Sequence, residues 1–292
     1  MSGFKFNFSN SERGDENNMK DTNDLPKHWL ECAQVFPDNE DKILVRDMFK
    51  ECEINTLQVK NIIIKHFLTV DVFNVLRTSD SDSTKDLSVL CADCNHSDLQ
   101  AAVYEGGLKI WECTYDLVNY IAETELELEE KHVLDLGCGA GLIGLICLEN
   151  GASCVFQDYN IEVLQYITIP NIILNNEEYV KKCRFYSGDW QYFSETIKDQ
   201  KKFDYIFTSE TIYNTENYSK LHDVFERLLN EDGEIYLAAK SHYFGVGGGI
   251  TLFKEYISKR NIFQATSCWK HSEGVTREIL RLQFLKHKKE DH

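Results

Sequence analysis

The segment His132-Val-Leu-Asp-Leu-Gly-Cys-Gly-Ala-Gly-Leu-Ile-Gly144 is an apolar run that breaks into glycines and resumes as an apolar stretch of helical character. A strand ending in glycines lets a ligand come close to bare backbone. Gly139, Gly141 and Gly144 alone satisfy the G-x-G-x-x-G spacing of dinucleotide binders, so a nicotinamide-dependent oxidoreductase is one reading. Asp135, two residues before Gly137, argues for another. A carboxylate beside the glycine turn repels a pyrophosphate but suits a ligand with a cationic end, such as the ammonium and sulfonium of S-adenosylmethionine.

Two further acids follow at matching places. Asp158 closes the apolar run Phe156-Gln-Asp, about twenty residues beyond the glycines, where a carboxylate accepts both hydroxyls of a ribose. Asp189 and Trp190 close the next run, Ser187-Gly-Asp-Trp; the acid is placed to accept from an adenine amino group and the indole to pack against the ring. Three carboxylates at successive strand ends suit a nucleoside cofactor laid across the carboxyl edge of a sheet.

Positioning these residues requires alternating strands and helices, and from residue 100 onward the pattern supplies them. Strands are expected near His132–Leu136, Cys154–Asp158, Cys183–Ser187, Phe203–Thr208 and Glu234–Ala239. Helices are expected near Trp111–Glu123, Gly141–Asn150, Glu162–Asn175, Asn217–Leu229 and Gly248–Lys259. The last two runs, Phe263–Trp269 and Arg277–Leu285, are joined by too few residues for a crossover, so they must be antiparallel neighbours. The fold class is therefore α/β, a Rossmann-like, mostly parallel sheet with an antiparallel C-terminal pair. Residues 1–24 read as a polar, disordered tail, 25–98 as an N-terminal extension with apolar patches, and 99–292 as the domain that carries the chemistry.

The 292 residues carry a formal charge of −17. Such a chain lacks the basic surface that neutralises phosphates, which argues against direct binding to nucleic acid or anionic lipid and favours a basic protein partner. No secretory signal is expected at the N-terminus, and the richest apolar stretch, Asn61 to Leu76, is broken by Lys65, His66 and Asp71, so no membrane span is expected. The ten cysteines are scattered through apolar segments and read as reduced thiols. Cys91 and Cys94 stand at ligand spacing with His96 behind them, but no second pair completes a zinc site, and no metal is expected.

The segment LDLGCGAGLIG, the acid at each strand end and the antiparallel ending resemble the seven-stranded S-adenosylmethionine methyltransferases. More narrowly, Val103-Tyr-Glu-Gly-Gly-Leu-Lys-Ile-Trp-Glu-Cys-Thr114, Thr208-Ser-Glu-Thr-Ile-Tyr213, Ala239-Lys-Ser-His-Tyr-Phe-Gly-Val-Gly-Gly-Gly249 and the N-terminal Phe-Lys-Phe-Asn-Phe resemble the protein-histidine methyltransferases that modify a large-subunit ribosomal protein. The resemblance is specific from about residue 95 to 286. It implies that Trp111 and Glu112 meet the methionine end of the cofactor and that Asp135, Gly137, Cys138, Gly139, Asp158, Asp189, Trp190 and Ser209 complete its site. It places Ser209, Glu210 and Tyr213 facing the methyl acceptor, with Glu210 orienting its ring N–H, and gives Tyr213, His242, Tyr243, Phe244 and Gly247 to the peptide. It further implies a basic ribosomal substrate met before assembly, a monomeric enzyme, and residence in the nucleus, nucleolus and cytoplasm. A lysine acceptor on the same fold is the alternative.

Overall fold

The structure, a computed structural model, describes residues 29–78, 106–107 and 109–286. The expected tail over 1–24 and the Cys91, Cys94 and His96 group lie outside the described residues. The seven strands expected after residue 100 are all present: β4 (His132–Leu136), β5 (Ser153–Asp158), β6 (Cys183–Ser187), β7 (Phe203–Ser209), β8 (Leu229–Lys240), β9 (Phe263–His271) and β10 (Arg277–Phe284). They lie in the order β6-β5-β4-β7-β8-β10-β9; the first five are parallel, and β10 is antiparallel to both neighbours. Strand order reverses on either side of β4, which opens a crevice at the carboxyl ends of β4, β5 and β7.

Upstream residues add to this frame. β1 (Ala33–Val35) pairs antiparallel with β6 and makes an eighth strand at that edge. A short helix, α1 (Asn39–Ile43), is closed by a capping box between Asp38 and Asp41. A hairpin, β2 (Ile54–Val59) and β3 (Ile62–Phe67), follows, and then α2 (Thr69–Thr78).

The remaining helices are α3 (Glu112–Thr124), α4 (Leu142–Glu149), α5 (161–175), α6 (Trp190–Ile197), α7 (Tyr218–Leu228) and α8 (Ile250–Arg260). Within α5, Pro170 has no N–H for the carbonyl one turn back, and a π-helical turn at Leu164–Thr168 directly precedes that stretch. Helix α6 was not expected from the sequence; Asp189 caps it by accepting from the Gln191 N–H.

β4 is buried on both faces, so it reads as a continuous apolar run rather than an alternating one. Val133 faces a core formed by α3, α4 and α5, in which Phe49, Ile64, Phe67 and Val72 of the upstream segment are also buried. Leu134 and Leu136 face a second core built on α6, α7 and α8. Helix α4 is apolar all round because the sheet, α3 and β3 enclose it. No helix among the described residues is long and apolar enough to cross a membrane.

Candidate active site

At the end of β4 the chain turns through left-handed conformations at Gly137 (φ +66°), Gly139 (φ +50°) and Gly141 (φ +74°). A Cβ on Gly139 would lie 2.8 Å from the Gly107 carbonyl oxygen, and one on Gly144 2.1 Å from the Phe156 ring. The first glycine lets two backbones meet across the cleft; the second lets α4 lie close on β5. The turn is fixed by side chains from elsewhere in sequence. Thr168 Oγ1 donates to the Gly139 carbonyl at 2.6 Å, Asn171 Nδ2 donates to the Ala140 carbonyl at 3.0 Å, and the Gly139 N–H donates to Asp158 Oδ2 at 2.9 Å.

A cleft opens over this turn. Of the expected cofactor residues, Trp111, Gly137, Cys138, Gly139, Asp158, Asp189, Trp190 and Ser209 line it, and so do Glu210 and Tyr213. Trp190 is held by a relay that the sequence did not suggest: its Nε1 donates to Gln157 Oε1 at 2.9 Å, and Gln157 Nε2 donates to the Gly188 carbonyl at 2.8 Å. Asp189 lines the cleft with both oxygens engaged, Oδ1 by the Gln191 N–H at 2.9 Å and Oδ2 by Lys220 Nζ at 2.7 Å.

Asp135 lies elsewhere than expected. Its carboxyl does not line the cleft but is buried, with Oδ2 accepting from the Gly144 N–H at 2.8 Å and Oδ1 without a hydrogen-bond partner. Burial pushes this carboxyl up to about 8, far above the carboxylate range. In this structure Asp135 secures the start of α4 and is not among the residues that line the cleft.

At the other end of the cleft, four charged or polar groups converge from well-separated places in the sequence. Glu210 follows β7 in a left-handed conformation (φ +58°) that non-glycine residues rarely adopt. Its carboxylate is nearly inaccessible; it accepts from the Tyr243 hydroxyl and, at 3.4 Å, from the Cys113 N–H in the first turn of α3. Lys240, at the end of β8, lies 3.7 Å from Glu210 Oε1 and 2.8 Å from Glu112 Oε2. Burial opposes the Lys240 charge, but Glu210 and Glu112 outweigh it and hold this lysine above its ordinary value. Burial, then Glu210, push the Tyr243 hydroxyl well up, so it stays a donor. Ser209 is hydrogen-bonded to Thr114 at 2.9 Å, tying β7 to α3, and the Lys240 ammonium stands 5.6 Å from the centre of the Trp111 ring.

Two other expected contacts lie outside the cleft lining in this structure. Glu112 does not line the cleft; it pairs with Lys240. Tyr243, expected against the peptide, is 1% exposed and serves Glu210 instead. The rest of its loop faces outward: Phe244 is 72% exposed with His242 edge-on at 5.1 Å, and around Gly247 there is open space. The run of glycines is more than a flexible join, because a Cβ on Gly248 would strike the Ile212 carbonyl at 2.2 Å while its N–H donates to the Tyr213 carbonyl at 3.0 Å. Lys240, Gln157 and Lys220 are the functional neighbours that sequence reasoning missed.

A family model described as lysine methyltransferase matches residues 96–245, just over half of the chain. The chain belongs to this methyltransferase family. Among curated proteins, the histidine protein methyltransferase 1 homolog of Bos taurus is 43% identical over 217 residues, covering 65% of this chain and 58% of the relative. The Dictyostelium discoideum homolog of the same name is 40% identical over 188 residues, covering 64% and 60%. Histidine protein methyltransferase 1 of Saccharomyces cerevisiae is 28% identical over 352 aligned positions, covering 94% and 92%. The chain spans about three-fifths of the length of the first two. The methyltransferase's cofactor is S-adenosylmethionine, and the cleft fits it: bare glycine backbone where a Cβ would collide, an acid at the end of β5 suited to ribose hydroxyls, and an indole fixed at the end of β6.

Proposed function

We propose that this methyltransferase transfers a methyl group to one ring nitrogen of a histidine in a basic large-subunit ribosomal protein. Bound S-adenosylmethionine supplies an electrophilic methyl on a sulfonium. On this reading Asp158 holds the ribose, Trp190 packs on the adenine, and Trp111, Ser209, Glu210 and Tyr213 surround the reacting end.

The observation that carries the choice of acceptor is the state of Glu210. A lysine ammonium is neutral about once in several thousand molecules at pH 7, so a lysine methyltransferase must help remove a proton. The Glu210 carboxylate is already bound to Tyr243, Lys240 and the start of α3, and the cation beside it disfavours an incoming ammonium. An imidazole is about three-quarters neutral at pH 7 and needs orientation more than deprotonation. Positioning alone is worth up to about 7–11 kcal/mol in favourable cases. On this reading Glu210, held by these partners, accepts the N–H of the ring nitrogen that is not methylated. The names of the curated relatives support the same acceptor.

The charge of −17 suits a basic substrate, and on this reading the enzyme acts as a monomer on the free ribosomal protein before assembly, in the nucleus, nucleolus and cytoplasm. The test is mass spectrometry of purified large-subunit proteins after incubation with the enzyme and trideuteromethyl-labelled cofactor. A single labelled methyl on a histidine is expected; labelled lysine with histidine untouched removes the proposal and favours the alternative that the family model's description names.

A further inference from the structure

Residues ahead of the methyltransferase segment reach the cofactor cleft through β1. Its three residues pair with the whole of the β6 end, Ala33 with Ser187, Gln34 with Tyr186 and Val35 with Phe185. That pairing carries Trp29 and Leu30 to the carboxyl end of β6. Two hydrogen bonds continue the attachment there: the Asp189 N–H donates to the Leu30 carbonyl at 2.9 Å, and the Leu30 N–H donates to the Tyr159 hydroxyl at 3.3 Å. Gly188 makes the approach possible, since a Cβ there would sit 2.4 Å from the Glu31 carbonyl oxygen.

The result is that Trp29 lines the cleft beside Asp158, Asp189 and Trp190. Its ring is not loosely placed. The Lys220 ammonium stands 3.3 Å from the ring centroid while making its 2.7 Å pair with Asp189, and Tyr159 meets the ring edge-on at 6.4 Å. Lys220 and Asp189 are both largely buried, so this cation is held in place by a carboxylate that belongs to the cofactor site itself. A second fixed indole at the strand ends that receive the adenosyl group has a physical use. Every purine presents a flat π-face, and an aromatic ring packed on it contributes without needing a hydrogen-bond match.

We propose that Trp29 is a cofactor-binding residue, an aromatic wall for the adenosyl end of S-adenosylmethionine, delivered by β1 and oriented by Lys220. It makes the N-terminal segment part of the binding site. The inference rests on the cofactor assignment and not on the identity of the methyl acceptor.

The experiment uses the full chain and S-adenosylhomocysteine, read by calorimetry without turnover. Trp29→Leu keeps an apolar side chain and removes the ring; it is expected to weaken binding about tenfold, within the range that removal of an aromatic stacked on a base produces. Trp29→Phe is expected to stay within about threefold of wild type. In a chain labelled with 5-fluorotryptophan, the ¹⁹F resonance that disappears in Trp29→Phe is expected to shift on titration of the wild type, a readout that requires no destabilised variant. Wild-type affinity in Trp29→Leu, an equal loss in Trp29→Phe, or a Trp29 resonance that does not move on saturation overturns the proposal. Failure of all ligand binding by the wild type would instead remove the cofactor assignment.

Discussion

Replacing Lys240 by Met tests whether the buried charges beside the cleft act as one unit. The Lys240 and Glu210 side chains are 9% and 6% exposed and their charged atoms are 3.7 Å apart. At an effective dielectric constant of about 20 their attraction is about 4 kcal/mol. Loss of one partner of such a pair leaves an uncompensated buried charge and costs roughly 3–5 kcal/mol. Glu112, half exposed, adds little, because solvent screens its 2.8 Å contact. Lys240→Met is therefore expected to lower the melting temperature by about 5–10 °C and to cut turnover, while Lys240→Arg recovers part of both. The decisive arm is Lys240→Met combined with Glu210→Gln. If the cost is an unpaired carboxylate, neutralising it restores stability, and the double variant unfolds in urea at a higher midpoint than Lys240→Met alone. Losses that simply add in the double variant would refute the charge argument and leave only a packing role for the lysine.

Four further outcomes are expected. The Asp135 carboxyl is raised in the folded state to about 8, so its contribution to stability is complete below the unfolded value near 4 and is lost as pH rises through about 8; urea unfolding of the cofactor-free protein should show stability falling between those limits by about 1 kcal/mol per pH unit, and Asp135→Asn should flatten the slope. Gly139→Ala, which combines a left-handed backbone with a 2.8 Å clash against Gly107, should cost about 2 kcal/mol and weaken cofactor binding in calorimetry, whereas Gly247→Ala, with open space around it, should leave that affinity unchanged. With a histidine acceptor, the rate at limiting substrate should rise through about pH 6–7 and then level; a rise continuing toward pH 9 indicates lysine. Affinity for a basic protein substrate should fall as salt is raised from low to physiological, and a flat dependence rules out charge steering by the −17 chain.

The part of the cleft expected to hold the cofactor was legible because its residues follow strand ends. Gly137, Asp158 and Asp189 each come directly after an apolar run, and in a parallel sheet all such ends lie on one edge. A spacing along the chain therefore translates into a position in space. What the sequence does not encode is which way a side chain at such an end points. Asp135 and Asp158 are alike on paper, but Asp135 lies within β4, turns toward the start of α4 and is buried there, whereas Asp158 ends β5 in the cleft. The sequence pattern supplied the acid, and packing decided its role.

The end of the cleft around Glu210 was legible only in part, for a different reason. Glu210 and Tyr213 follow β7 and could be placed, but the group that fixes Glu210 is assembled from the start of α3, the end of β8 and the loop after it, so no local spacing marks Lys240 or Tyr243 as its partners. The same holds upstream. β1 is three residues long, with no alternation to read, and its register against β6 depends on Gly188 and the Asp189 N–H, more than 150 residues later. The hairpin β2 and β3 is likewise secured from afar, by Asn175 on the Lys65 backbone and Asn171 on the Phe67 N–H. Asn171 also holds the Ala140 carbonyl of the glycine turn, so one side chain joins the upstream hairpin to the cofactor site. The N-terminal segment thus packs against the cleft at two separate points, by Trp29 at its edge and by the hairpin through Asn171 behind the glycine turn, and the proposed role of Trp29 would complete the cofactor site from outside the recognisable methyltransferase core.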